Sequence, residues 1–157
     1  MQIDEKIVNE ESKLIELIRE GLNPFNYIKD ERDIDFVSSA IAHINKSDDT
    51  FWDDSAETLL KSFVYYLLFK AGETKTLERC KEIVELGLNE ADSREKIKAM
   101  VECDERSKVL FKPTEIASDK TYREIFETLN NKLLEILKWK NIYYYLDGSI
   151  YFSLFIL

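Results

Sequence analysis

The sequence is organised around a long apolar segment that begins near Thr50 and ends before Gly72. Residues 63–69 (FVYYLLF) are apolar on nearly every face of a helix, and such a helix must be covered by others. Thr50 is a suitable N-cap, and Asp53, three residues later, has capping-box spacing. The segment therefore predicts a central helix over residues 51–71.

Five further segments have the apolar spacing of amphipathic helices. They cover about residues 4–20, 31–45, 77–86, 93–107 and 118–138. Gly21, Gly72 and Gly87 are placed to end helices, Lys112-Pro113 to break one, and residues 92–95 have capping-box spacing. We predict an all-α fold, a bundle of about six helices around the central one, forming a single domain over residues 1–140.

Residues 141–157 form an apolar tail without a charged residue after Asp147. Two apolar runs, 142–146 and 149–157, flank Asp147-Gly148, which is a signal for a two-residue hairpin turn. We predict a C-terminal β-hairpin that packs on the bundle or pairs with another chain.

The 157-residue chain has a net charge of −9 and 45% hydrophobic residues, typical of a soluble globular protein. This charge disfavours DNA, so any DNA contact should be weak and salt-sensitive. Residues 62–71 are too short an apolar run to span a membrane, and no signal peptide is recognisable. Cys80 and Cys103 are expected to be free, buried thiols in a reducing compartment, which favours a cytoplasmic protein.

We find no pattern typical of an enzyme. The only histidine, His43, has no nucleophile placed beside it by the sequence. Residues 72–76 (GETKT) resemble a phosphate loop superficially, but they lack the second glycine and follow an apolar helix rather than a strand. We therefore predict a non-catalytic protein without a cofactor or a metal, and without ATP hydrolysis.

An acidic group surrounds the start of the central helix: Asp48, Asp49, Asp53, Asp54 and Glu57. These carboxylates suit the positive end of the helix dipole, although they could also hold a divalent cation. Phe51 and Trp52 either anchor the helix start in the core or bind a partner. We predict that the first four acids are accessible and bind a basic protein. The second choice is the exposed side of the last helix, around Arg123, Glu127 and Asn130.

Three segments together resemble the type IV secretion coupling proteins, the DNA-pumping ATPases of bacterial conjugation, in the Gram-positive TraG/TraD-like branch. They are residues 22–28 (LNPFNYI), 51–60 (FWDDSAETLL) and 112–133, which begins KPTEIA. In the family, these segments bound an all-α domain that is inserted into the ATPase and implicated in recognising the relaxosome. The resemblance covers about residues 22–137.

The resemblance implies a recognition domain that binds a relaxase or a relaxosome accessory protein, in a parent protein that is a membrane-anchored hexamer. The chain lacks the Walker motifs and the membrane spans of a coupling protein, and residues 1–20 and the tail after Lys140 fit the family poorly. An alternative from another class is a small acidic immunity or antitoxin-like protein that covers a basic partner.

Overall fold

The computed structural model describes the backbone of residues 10–146 and the side chains of residues 10–138. This part of the chain is all-helical, as predicted, and contains no strand. Its seven α-helices are α1 (Glu11–Arg19), α2 (Glu31–Ala42), α3 (Thr50–Phe69), α4 (Leu77–Asn89), α5 (Ser93–Val101), α6 (Glu105–Glu115) and α7 (Asp119–Leu146). A 3₁₀ turn, Pro24–Asn26, lies between α1 and α2.

The 20-residue helix α3 is the central helix. It packs against α2, α6 and α7, while α7 also packs against α4 and α1. The largest fully buried side chains include Phe63, Phe111 and Phe126 from these helices. At the crossing of α3 and α6, the Ser62 and Ser107 hydroxyls each donate to the other residue's carbonyl at 2.7 Å. This exchange satisfies both buried hydroxyls.

Of the three glycines expected to end helices, only Gly21 directly follows a C-cap residue. Gly21 has a φ of 118°, and its N–H donates to the Ile18 carbonyl while the Leu22 N–H donates to that of Leu17, which is a Schellman motif. Gly72 has a φ of 85° and follows α3, which ends two residues earlier than predicted. Gly87 instead lies inside α4, where the Phe126 ring packs in the space that a Cβ would fill.

The region after α4 differs most from the prediction. Residues 93–107 were expected to form one helix, but α5 ends at Val101 and α6 begins at Glu105. Asp104 caps α6 by accepting from the Ser107 N–H, whereas Asp92 makes no side-chain cap bond before α5. Pro113 is inside α6, so the predicted break there is wrong. Because proline has no N–H, α6 lacks the hydrogen bond from position 113 to the carbonyl of Val109, and the helix continues for only two more residues, to Glu115.

The first and the last predicted segments extend beyond the described residues. Residues 1–9 lie outside the described residues, so only the part of the first helix from Glu11 onward is confirmed. Helix α7 continues past its predicted end and includes residues 142–146, which were expected to form a strand. The turn and the second strand of the predicted hairpin lie outside the described residues.

The two cysteines differ in exposure. Both cysteines are free, but Cys103 is exposed and only Cys80 is buried, so the expectation of two buried thiols is wrong for Cys103. Among residues 10–146, no helix has the length and apolar character needed to cross a bilayer.

Candidate partner-binding surface

The acidic loop, residues 43–49, connects α2 to α3 and carries two of the predicted binding residues. Asp49, and not Thr50, is the N-cap of α3, since its Oδ1 accepts from the Phe51 N–H at 2.9 Å. Aspartate caps at least as well as threonine, and its charge also suits the helix dipole. Asp48, Asp49 and Asp54 are exposed. We call these three residues the acidic surface.

Asp53 is not part of that surface, because its residue is only 2% exposed. Its Oδ1 is 2.9 Å from the Lys132 Nζ and accepts from the Ser47 hydroxyl, while its Oδ2 accepts from the Ser47 N–H at 2.8 Å. Burial raises the pKa of Asp53, but the hydrogen bonds from Lys132 and Ser47 outweigh it and hold the pKa below its ordinary value. The predictions of accessibility and of a capping box are therefore wrong for Asp53.

Lys132 binds the acidic loop to α7. Besides the Asp53 carboxylate, its buried ammonium group donates to the carbonyls of Ile44 at 2.6 Å and Asn45 at 3.0 Å. Asn45 is in the left-handed region with a φ of 51°, so the loop turns sharply at this point. One cation thus contacts both the start of α3 and the loop before it, and it fixes the segment that carries Asp48.

A groove runs beside the acidic surface, where the start of α3 meets the end of α6 and the start of α7. It has a volume of about 260 Å³. Phe51 forms one wall and is 47% exposed. Its ring packs edge-on against Trp52, with centroids 4.8 Å apart, and Trp52 in turn packs against the core. The core interpretation of this aromatic pair therefore holds for Trp52 and is wrong for Phe51.

The other residues that line this α3 groove are mostly apolar or carry a hydroxyl group. They are Asp54, Ser55, Thr58, Pro113, Thr114, Ala117, Thr121 and Ile125. Asp54 is the one ionisable residue among them, and 67% of its side chain is exposed. The groove therefore combines apolar side chains and hydroxyl groups with one largely exposed carboxylate.

The imidazole of His43 has a backbone carbonyl on one side and a carboxylate on the other. Its Nδ1 is 2.8 Å from the Ser39 carbonyl, which can only accept, so Nδ1 carries the proton. Its Nε2 lies 3.5 Å from the Asp54 carboxylate. The neighbouring Glu57 is paired with Lys61 at 2.9 Å. The imidazole therefore lies between the end of α2 and the carboxylates of α3.

The acids that were weighed for a metal, residues 48–57, do not form a metal-binding cluster. Within residues 10–146, no group of three or more His, Cys, Asp or Glu side chains could hold a metal ion. Residues 72–76 connect two helices. Thr76 caps α4 by accepting from the Arg79 N–H, and Glu73 accepts two hydrogen bonds from the Arg79 guanidinium.

The second-choice residues on α7 are divided by the structure. Arg123 and Glu127 are exposed and form an ion pair of 3.0 Å, one helical turn apart. Asn130 is half-buried, and its enclosed Oδ1 has no hydrogen-bond partner within the described part of the chain. Asn130 lies on the same face of α7 as the other two residues, but it is less exposed than predicted.

Comparisons of the chain with protein-family models, with curated proteins and with solved structures find no match. The resemblance to the coupling proteins stays a prediction from the sequence. Function is therefore argued from the acidic surface and the groove.

The sequence did not indicate the role of Lys132, and of the residues that line the groove it indicated only Phe51 and Asp54 as candidates for binding. One signal for Lys132 was available, because it lies between Leu129, Leu133 and Ile136 on the apolar stripe of α7. A lysine on an apolar stripe is unusual unless its charge is paired. No comparable signal brings Pro113 or Ile125 close to Phe51, since that contact depends on how three helices meet.

Proposed function

We propose that this chain is a non-catalytic recognition domain that binds a basic protein partner through its acidic surface. The observation that carries the proposal is the exposure of Asp48, Asp49 and Asp54 beside the exposed ring of Phe51. Opposite charges across an interface speed encounter and reject wrong partners. Aromatic side chains are frequent among the residues that dominate binding energy.

The partner that the sequence resemblance suggests is a relaxase or an accessory protein of the relaxosome. In this proposal the chain corresponds to the all-α domain of a conjugative coupling protein, at the cytoplasmic face of the membrane, in a parent protein that is a hexamer. The all-helical fold and the central helix that begins with Phe51-Trp52 support this assignment. DNA would be contacted weakly, because the net charge is −9.

An immunity or antitoxin-like protein is the alternative, and the same acidic surface supports it. A small protein with a net charge of −9 suits the role of covering a basic toxin surface. Gene neighbourhood separates the two hypotheses, since a neighbouring relaxase gene favours the first and a toxin gene favours the second.

A pull-down with purified proteins tests the proposal. The immobilised chain is offered the relaxase and accessory proteins of the same conjugative element, and in parallel any basic toxin encoded beside it. We expect retention of one relaxosome component that is lost when Asp48→Lys is combined with Asp49→Asn. Asparagine is used at position 49 because it keeps the helix cap while removing the charge.

The control combines Asp92→Asn with Glu95→Lys, which gives the same change in charge at an exposed site on the loop before α5 and its first turn. Asparagine tolerates the left-handed backbone of Asp92, whose φ is 58°. Retention unaffected by the first variant would contradict the acidic surface and direct attention to Arg123 and Glu127. Retention of the toxin alone would favour the alternative.

A further inference from the structure

The volume of the α3 groove is below the usual range of small-molecule sites and suits a single side chain. Small-molecule sites usually measure about 300–1,000 Å³, whereas this groove has about 260 Å³. Its lining residue Phe51 is exposed, and Ile116, a second exposed apolar residue, lies in the chain between the lining residues Thr114 and Ala117. Exposed apolar residues beside a groove are a common feature of protein-binding sites.

The carboxylate of Asp54, which lines the groove, favours a ligand that carries a positive charge next to its apolar side chain. Asp54 is the lining residue that carries a charge, and its carboxylate lies 3.5 Å from the Nε2 of His43. That distance is too long for a strong hydrogen bond, so the carboxylate retains the capacity to accept one from a ligand. Asp48 and Asp49 add negative charge at the N-terminal end of the same helix.

We infer that the groove receives one leucine- or phenylalanine-like side chain from a partner segment that carries a lysine or arginine within one helical turn of it, and that this cation pairs with Asp54. The inference rests on the proposed function and deepens it, since it names the chemistry of the bound segment. The anchor supplies the apolar contact with Phe51, Pro113 and Ile125. The cation supplies orientation and salt dependence.

Nuclear magnetic resonance with the ¹⁵N-labelled chain and three short helical peptides tests the inference. The first peptide presents a leucine flanked by lysines one turn away, the second has glutamates in place of the lysines, and the third has alanine in place of the leucine. We expect the first peptide to shift the amide signals of Ser55, Thr58 and Thr121 and to bind at least about ten times more tightly than the other two.

Variants of the chain test whether the peptide binds in the groove. Phe51→Ala and Asp54→Asn should each weaken binding of the first peptide by about tenfold, since each removes one of the two proposed contacts. Phe69→Ala is the control, because Phe69 is 56% exposed and lies at the opposite end of the same helix. It should leave the affinity unchanged. Unaltered circular dichroism verifies that each variant is folded.

Three results with the peptides would overturn the inference. They are the absence of shifts at these amides with millimolar peptide, equal affinity for the glutamate peptide, and equal affinity for the alanine peptide. Shifts of the same amides on dilution of the chain alone would mean that a second copy occupies the groove, which also overturns it. If the peptides do not bind the groove but the acidic-surface variant still abolishes retention of a relaxosome component, the proposed function stands. Only the inference that the groove receives an apolar side chain is then rejected.

Discussion

Replacing Lys132 with methionine removes a buried charge while keeping most of the aliphatic length of the side chain. The change deletes the ion pair with Asp53 and the hydrogen bonds to the carbonyls of Ile44 and Asn45. It leaves the Asp53 carboxylate buried, with Ser47 as its remaining donor. The acidic loop thereby loses its connection to α7.

The expected loss can be bounded from these contacts. Removing one partner of a buried ion pair typically lowers the free energy of unfolding by about 3–5 kcal/mol. We expect the lower end, about 3 kcal/mol, because the two hydrogen bonds from Ser47 still stabilise the carboxylate. Asp53→Asn should have a smaller effect, since Lys132 would keep both backbone carbonyls. The double variant should lose less than the sum of the two single losses.

Urea denaturation followed by circular dichroism measures this loss. With a slope of about 2 kcal/mol/M, the midpoint of Lys132→Met should fall by about 1.5 M. Lys138→Met is the control, because Lys138 is an exposed lysine on the same helix and its replacement should change stability by about 0.5 kcal/mol or less. A loss below about 1 kcal/mol for Lys132→Met would refute the argument that this cation holds the loop.

The same ion pair predicts an acid dependence of stability. The folded state holds the pKa of Asp53 below its ordinary value of 3.8. As the pH falls through the ordinary value, the unfolded chain therefore binds a proton before the folded chain does, and stability decreases. The contribution is fully present above that value and is lost as the pH falls through the folded pKa. Asp53→Asn should flatten this part of the stability profile.

Three further predictions follow from buried groups elsewhere in the fold. Gly87→Ala should destabilise the protein by about 1–2 kcal/mol in urea denaturation, because overlap with the fully buried Phe126 ring outweighs the better helix propensity of alanine, and a stabilised variant would contradict this packing. Burial and a hydrogen bond to a carboxylate raise the pKa of Tyr66 to about 12, so stability should fall as the pH rises from 10 toward 12, and Tyr66→Phe should lack that loss. A thiol reagent should modify Cys103 rapidly in the folded protein and Cys80 only after unfolding, since burial raises the pKa of the Cys80 thiol to about 12. Rapid modification of both thiols would contradict the burial of Cys80.

Periodicity in the sequence was sufficient to place most helices. In the segment predicted as the last helix, apolar residues recur at steps of three and four, and all of them are buried: Tyr122, Phe126, Leu129, Leu133 and Ile136. Such stripes are local signals, because residues three and four apart share a face of a helix. The central position of α3 could be predicted for the same reason.

Boundaries that depend on contacts between helices could not be predicted in this way. Gly87 was expected to end α4 from its residue type, but its role is to let the Phe126 ring approach the helix. Pro113 was expected to break a helix, but it lies inside α6, which ends two residues later at Glu115. In both cases the residue type suggested an interruption, and its position in the packed structure decided otherwise.

In the acidic segment, too, local sequence signals were sufficient for some residues, whereas tertiary contacts decided the exposure of another. Asp48, Asp49 and Asp54 are exposed, as expected for acids in a loop and at a helix start. Asp53, within the same acidic run, is buried because a lysine distant in sequence reaches it. Charge patterning locates the acidic segment, but which of its members remain accessible depends on tertiary contacts.

Association kinetics at two salt concentrations test the central claim most directly. The partner is the relaxosome component retained in the pull-down, and the chain carries Asp48→Lys with Asp49→Asn or, as the control, Asp92→Asn with Glu95→Lys. We predict that the first pair of substitutions slows association and reduces its dependence on salt, while the control pair leaves both close to those of the unmodified chain. Equal association rates and equal salt dependence for the two variants would contradict the claim that the acidic surface meets the partner.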